Sequence, residues 1–273
     1  MRYIKLILEY DGTNFSGWQK QTGTGLRTVQ GVLERALEKL TGERITTYGA
    51  GRTDAGVHAL GQVVNFGTEA SIPVARFPAA LNGVLPPDVV VKKSDQVDAA
   101  FHARYSATAK QYRYLIWNGR LPSALWRNYS YHIPRLLDEK AMQEGARYFE
   151  GNHDFVAFSA TGSSVKSTVR NLLSFRVSRC GDWIIMTVTA DGFLYKMVRL
   201  MAGTLVKVGL GKCTPAKVGE ILATKDRGQG GPALPPQGLC LLRIYYPGDD
   251  MGLQPDKPGE TPVVHPLLSG NGL

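Results

Sequence analysis

The stretch Arg44–Thr68, RITTYGAGRTDAGVHALGQVVNFGT, decides the fold. It reads as a strand (RITTYGA), a tight glycine-bounded turn, and a second strand (GQVVNFGT). Two strands in succession break any simple strand–helix alternation. Upstream, YIKLILEY (Tyr3–Tyr10) alternates like a strand, and DGTNFSGW (Asp11–Trp18) has loop chemistry. Thr28 is placed as a helix N-cap. Behind it Val29, Val32, Leu33, Ala36, Leu37 and Leu40 recur at helical spacing, with Gly42 as the stop. Downstream, Pro73 opens a short helix through Leu81, and DVVVKKS (Asp88–Ser94) reads as a strand. The order is βαββαβ.

The same order recurs further on. KQYRYLIW (Lys110–Trp117) is a strand with tyrosines at alternate positions, and Asp138–Phe149 a helix. TVRNLLSFRVSR and DWIIMTVTA are strands about a turn at Gly181. GFLYKMVRLMAGTLVKVG (Gly192–Gly209) is predicted as one long helix, Thr214–Ala223 as a shorter one, and GLCLLRIYY as the closing strand. The expectation is an α+β fold. It has two ferredoxin-like halves, 1–105 and 106–246, with mainly antiparallel sheets flanking a basic cleft. The Pro/Gly-rich residues 247–273 read as a loosely docked tail.

Composition bounds the function. The 273 residues are 43% hydrophobic and 20% charged, which fits a soluble globular chain. No apolar run is long enough to span a membrane, and the opening MRYIKLILEYDG is too short in its apolar core for a signal peptide. Cys180, Cys213 and Cys240 are odd in number and far apart, so a cytoplasmic location is expected. Net charge is +9, of which residues 106–246 contribute 19 basic against 9 acidic side chains. That excess suits a polyanionic partner and places most phosphate contacts in the second half.

Three stretches carry chemistry. In GAGRTDAGVHALGQVVNF, Arg52 and Asp54 flank Thr53, so in an extended segment both point the same way. Asp54 before Ala55-Gly56 is equally a residue that caps its own turn. Asp54 with His58 makes a weak metal reading, since no further ligand sits nearby and His102 is isolated. In FHARYSATAKQYRYLIW, basic residues alternate with tyrosines, a pattern that serves bases and phosphates or, as readily, a packed strand. In DGFLYKMVRLMAG, Arg199 lies within an apolar helix, where an arginine needs an anion or an outward path. No nucleophile elbow, zincin motif or P-loop is present. The glycine-rich QTGTGLRTVQG still offers a helix N-terminus to a phosphate.

Taken together, GRTDAGVHALGQV, FHARYSATAKQYRYLI, NHDFVAFSATG and DGFLYKMVRLMAGTL resemble the tRNA pseudouridine synthase A family, with RTVQGVLERAL and PPQGLCLLRIYY in matching order. The resemblance covers about residues 1–246; Tyr195-Lys196 is less typical of the family. It implies isomerisation of uridine to pseudouridine at positions 38, 39 and 40 of the tRNA anticodon arm, without metal or cofactor, by a homodimer. It also implies catalytic roles for Asp54 and its partner Arg199, uracil contact by Tyr112, and Arg52 in the space left by a flipped base. Three opening moves are open to the aspartate: attack on the sugar, attack on the base, or removal of a sugar proton. A non-catalytic RNA binder of two RRM-like units shares the element order but lacks its glycine–aromatic signature. A small-molecule enzyme shares the fold class but not the charge bias.

Overall fold

The computed structural model describes residues 1–21, 23–160, 162 and 166–251. The first strand, β1 (Arg2–Tyr10), buries Ile4, Leu6, Leu8 and Tyr10, the period of two that one packed sheet face requires. Helix α1 (Val29–Thr41) follows, capped by Thr28 and ended by Gly42 in the left-handed region at φ 76°. β2 (Tyr48–Gly49) and β3 (His58–Thr68) flank the glycine turn, and α2 (Phe77–Asn82) leads to β4 (Val89–Val97). β1 lies between β3 and β4, antiparallel to both, and β2 pairs with the far part of β3 through Tyr48 and Asn65. Leu33 and Leu37 of α1 and Phe77 and Leu81 of α2 are buried, with Phe77 edge-on to Phe66 of β3 at 5.9 Å.

These elements cluster as one unit, Met1–Thr108 with Cys240–Asp249; Ala109–Leu239 cluster as another. The second unit holds β5 (Ala109–Trp117), β6 (Tyr131–His132), α3 (Glu139–Arg147), β7 (Gly151–Asp154), β8 (Val169–Cys180), β9 (Trp183–Ala190), α4 (Met197–Gly209) and α5 (Lys217–Thr224). β5, β9, β8 and β7 are antiparallel neighbours in that order, and the β8–β9 hairpin turns at Gly181 (φ 55°). α4 is buried almost all round, as an interior helix must be when its sequence is apolar on every face. The last strand, β10 (Leu239–Tyr245), groups from Cys240 onward with the first unit, where it runs parallel to the start of β3. The whole is mixed α and β with mostly antiparallel pairing.

Three elements differ from expectation. RITTYGA forms a ladder only at Tyr48–Gly49, because the Thr47 amide donates to the Glu34 carboxylate instead of to a strand. The long helix starts at Met197, not Gly192, because Lys196 takes a left-handed φ of 59° and Leu194 packs as a buried loop residue. An apolar run alone does not separate buried loop from buried helix. The proposed phosphate site at α1 is also corrected. Its first three N–H groups already donate to Gly17, Trp18 and the Thr28 hydroxyl. From residue 252 on, the expected tail lies outside the described residues.

Leu33→Ala, at a fully buried position, is expected to cost about 2–5 kcal/mol by denaturant unfolding. Thr28→Ala, which removes only the cap, should cost about 1 kcal/mol.

Candidate active site

Within the first unit, the turn Gly51–Val57 is held from below at Thr53. The Thr53 carbonyl accepts the Trp18 amide at 3.0 Å, and its hydroxyl is bonded to the Tyr10 hydroxyl at 2.8 Å. Thr53 is 7% exposed. With that side chain inward, Arg52 is exposed and Asp54 half-buried. The Val57 amide closes the turn on the Asp54 carbonyl at 3.1 Å. Asp54 takes part in further interactions of its own.

Two contacts fix the turn's approach. Gln62 on β3 donates to the Gly51 carbonyl at 2.6 Å and accepts the Gly51 amide at 3.2 Å, completing the main-chain pairing of that residue. Gly17 sits at φ 92°, where a side chain would be strained and its Cβ would come within 2.7 Å of the Thr53 carbonyl. Burial pushes the Tyr10 phenol far above its ordinary range, against the opposing pull of hydrogen bonds to Thr53 and Gln62. It therefore stays a neutral donor–acceptor.

A buried polar network lies behind the turn. Glu34 of α1, 8% exposed, accepts from the Thr47 amide, the Thr47 hydroxyl and Gln30, and pairs with Lys20 at 2.8 Å. Gln30 in turn donates to the Thr47 carbonyl and accepts from the Lys20 amide and Gln19. Such networks rigidify when every member is satisfied, and no buried side-chain polar atom among the described residues lacks a partner. His58 Nδ1 lies 3.0 Å from the Gly12 amide and 3.2 Å from an Asp11 carboxylate oxygen. The amide must donate, so Nδ1 is the acceptor and the Asp11 contact is not an ion pair. His58 is thus engaged within the scaffold.

In the second unit, Tyr112 on β5 is 7% exposed, its ring edge-on to Phe193 at 5.1 Å. Tyr114 is fully buried and donates to the Pro235 carbonyl at 2.7 Å. Arg113 between them is buried too, its Nε donating to the Thr187 hydroxyl at 3.2 Å, so this strand has no wet side there. Arg199 on α4 is half-buried. Its Nε donates to the Leu234 carbonyl at 2.6 Å, and the Leu234 amide returns a bond to the Arg199 carbonyl at 3.1 Å. This reciprocal pair fixes the guanidinium. Burial raises the Tyr114 phenol well above its usual value, while the Arg199 charge pulls it down. Arg52 and Asp54 thus share one unit, Tyr112 and Arg199 the other.

Sequence reasoning missed the supporting residues. Gln30 and Glu34 are polar residues at helical spacing beside a predicted apolar face, and Gln62 interrupts an apolar strand. Both are signals of buried hydrogen bonding. The Tyr10–Thr53 contact joins residues 43 positions apart and leaves no local signal.

The family model described as tRNA pseudouridine synthase matches residues 6–106 and 146–247. The tRNA pseudouridine synthase A of Acetivibrio thermocellus is 49% identical over 246 residues, covering 90% of this chain and 100% of that protein. The namesake from Moorella thermoacetica is 49% identical with the same coverage. That of Caldicellulosiruptor saccharolyticus is 48% identical, again over 90% and 100%.

Gln62→Leu strands two buried main-chain groups of Gly51 and is expected to cost about 1–3 kcal/mol in denaturant unfolding. Tyr10→Phe, which leaves the packing intact, should cost about 1 kcal/mol by the same measurement.

Proposed function

The chain belongs to the tRNA pseudouridine synthase A family, and from that premise we propose which residues carry its reaction and how they divide the work. The protein is an isomerase that converts uridine to pseudouridine in tRNA. The N1–C1′ bond breaks, a C5–C1′ bond forms, and the C5 proton is replaced by one gained at N1, so atoms balance without a co-reactant.

Asp54 is the catalytic carboxylate. The observation that carries this is the inward pin at Thr53, beside which Arg52 is exposed and Asp54 half-buried on a turn held by Trp18, Tyr10 and Gln62. Attack on sugar, attack on base and removal of a sugar proton each need an ionised, immobile carboxylate. Arg199 is its partner, orienting the carboxylate; the support is a guanidinium held by the Leu234 carbonyl. Tyr112 contacts the target uracil with a ring held edge-on by Phe193. Arg52 fills the space left when the base leaves the stack, a step costing a few kcal/mol.

The targets are uridines 38, 39 and/or 40 of the anticodon arm. Two ferredoxin-like halves, 1–105 and 106–246, flank a basic cleft that takes the phosphates, and the enzyme works in the cytoplasm as a homodimer. Antiparallel neighbours β4, β1 and β3 in the first unit, with β2 and β10 along the other side of β3, and the basic excess of the second half support this reading.

Incubation with unmodified tRNA transcripts and mapping by position tests the whole. Wild type should place pseudouridine at 38–40. Asp54→Asn should lose about 10³-fold or more in turnover while tRNA affinity stays within about three-fold; near-wild-type turnover removes Asp54 from the chemistry. Affinity should fall steeply with added salt, and a flat response removes the basic cleft.

A further inference from the structure

Beside the turn, the first unit carries an aromatic cluster with no part in the roles above. Tyr48, His102 and Tyr105 form a row, with ring centroids 5.2 Å apart between Tyr48 and His102 and 4.4 Å between His102 and Tyr105. Arg104 lies over the Tyr105 ring at 5.5 Å. Tyr105 is 75% exposed and Tyr48 49%. Leaving two large rings in water forgoes burial that a core position would reward.

The row is built, not loose. Asn65 of β3, the cross-strand partner of Tyr48, is buried; its amide accepts the Ala103 N–H at 2.8 Å and donates to the Phe101 carbonyl at 3.3 Å. Tyr246 donates to the Ala103 carbonyl at 2.8 Å and packs against Phe101 at 5.1 Å. Ser106 accepts the His102 amide, and its own amide returns a bond to the His102 carbonyl. The His102 ring is oriented by the Arg104 amide, which donates to Nδ1 at 3.1 Å. So a segment far along the chain is bolted to the strand that enters the catalytic turn at Gly49, with its aromatic edge facing water.

We propose that Tyr48, His102, Tyr105 and Arg104 form a stacking platform for an unpaired nucleobase of the bound tRNA, with Arg104 meeting the adjacent phosphate. Rigid, exposed rings beside a cation suit a base and its backbone. Tyr48 lies on the strand that leads into the Asp54 turn, so the platform serves a base of the same bound RNA other than the target itself. The proposal rests on tRNA being the substrate and deepens that reading.

The test is binding of unmodified tRNA transcript, measured over a salt series, with Asp54→Asn as the non-reacting background. Tyr105→Ala should weaken affinity about ten-fold or more at every salt concentration, leaving the salt slope unchanged. Tyr105→Phe and Tyr105→Trp should retain wild-type affinity. Arg104→Ala should lower the slope by about one. A 2-aminopurine walked through the anticodon loop should show quenching at one position that Tyr105→Ala abolishes. Unchanged affinity in Tyr105→Ala, or equal loss in Tyr105→Ala and Tyr105→Phe, overturns the platform. A change of oligomeric state in Tyr105→Ala at constant tRNA affinity also overturns it, since the face is then an interface between copies. All three leave pseudouridine formation by the wild type intact, whereas failure of the tRNA reading itself shows as no product on any transcript.

Discussion

The bond from the Trp18 amide to the Thr53 carbonyl joins two loops that the sequence keeps far apart, and the orientation of the turn that carries Asp54 depends on it. With the Thr53 carbonyl and hydroxyl both spent inward, Arg52 is left exposed and Asp54 half-buried. The bond needs close approach, which Gly17 permits. It also needs the Trp18 segment held still. The Lys20–Glu34–Gln30 network and the start of α1 do that, since Gly17 and Trp18 supply the carbonyls that receive the first N–H groups of the helix. One helix start and the Asp54 turn thus share a single loop. Each bond is worth only about 1 kcal/mol net, but breaking one strands its buried partner at about 1–3 kcal/mol, so the set behaves as a unit.

The second unit reaches rigidity by other means. Its helix α4 is buried on nearly every side, and Arg199 emerges from it with the head group tied to the Leu234 carbonyl. The neighbouring Pro235 carbonyl takes the Tyr114 hydroxyl. The segment before β10 is therefore stitched to both a helix and a strand, and the arginine takes its direction from a main-chain carbonyl on that segment. In the first unit a network of side-chain bonds holds the turn; in the second, one main-chain acceptor on a packed segment holds the arginine.

Much of this was legible in advance. Period-two burial gave β1, and helical spacing with Thr28 and Gly42 gave α1, because one-sided burial writes itself into local sequence. The roles proposed for Asp54, Arg199 and Tyr112 rest on motif resemblance, and local chemistry leaves Asp54 no better than a turn-former. What was not legible has physical causes. The Lys196 backbone at φ 59° shortened α4, and nothing in an apolar run announces a left-handed lysine. Thr47 traded a ladder bond for a carboxylate thirteen residues earlier in the chain. Asn65 and Tyr246 fix residues 101–103 through contacts that no periodicity encodes.

The hydroxyl pair at Tyr10 and Thr53 has one more consequence. An RNA arrives with a dense negative field and its own shell of counter-ions, and ion pairs near it are weakened or competed for as it docks. Two neutral hydroxyls, one of them buried beyond ionisation, carry no net charge for that field to act on. The turn that carries Asp54 is therefore anchored by the kind of bond that the enzyme's own substrate is least able to disturb.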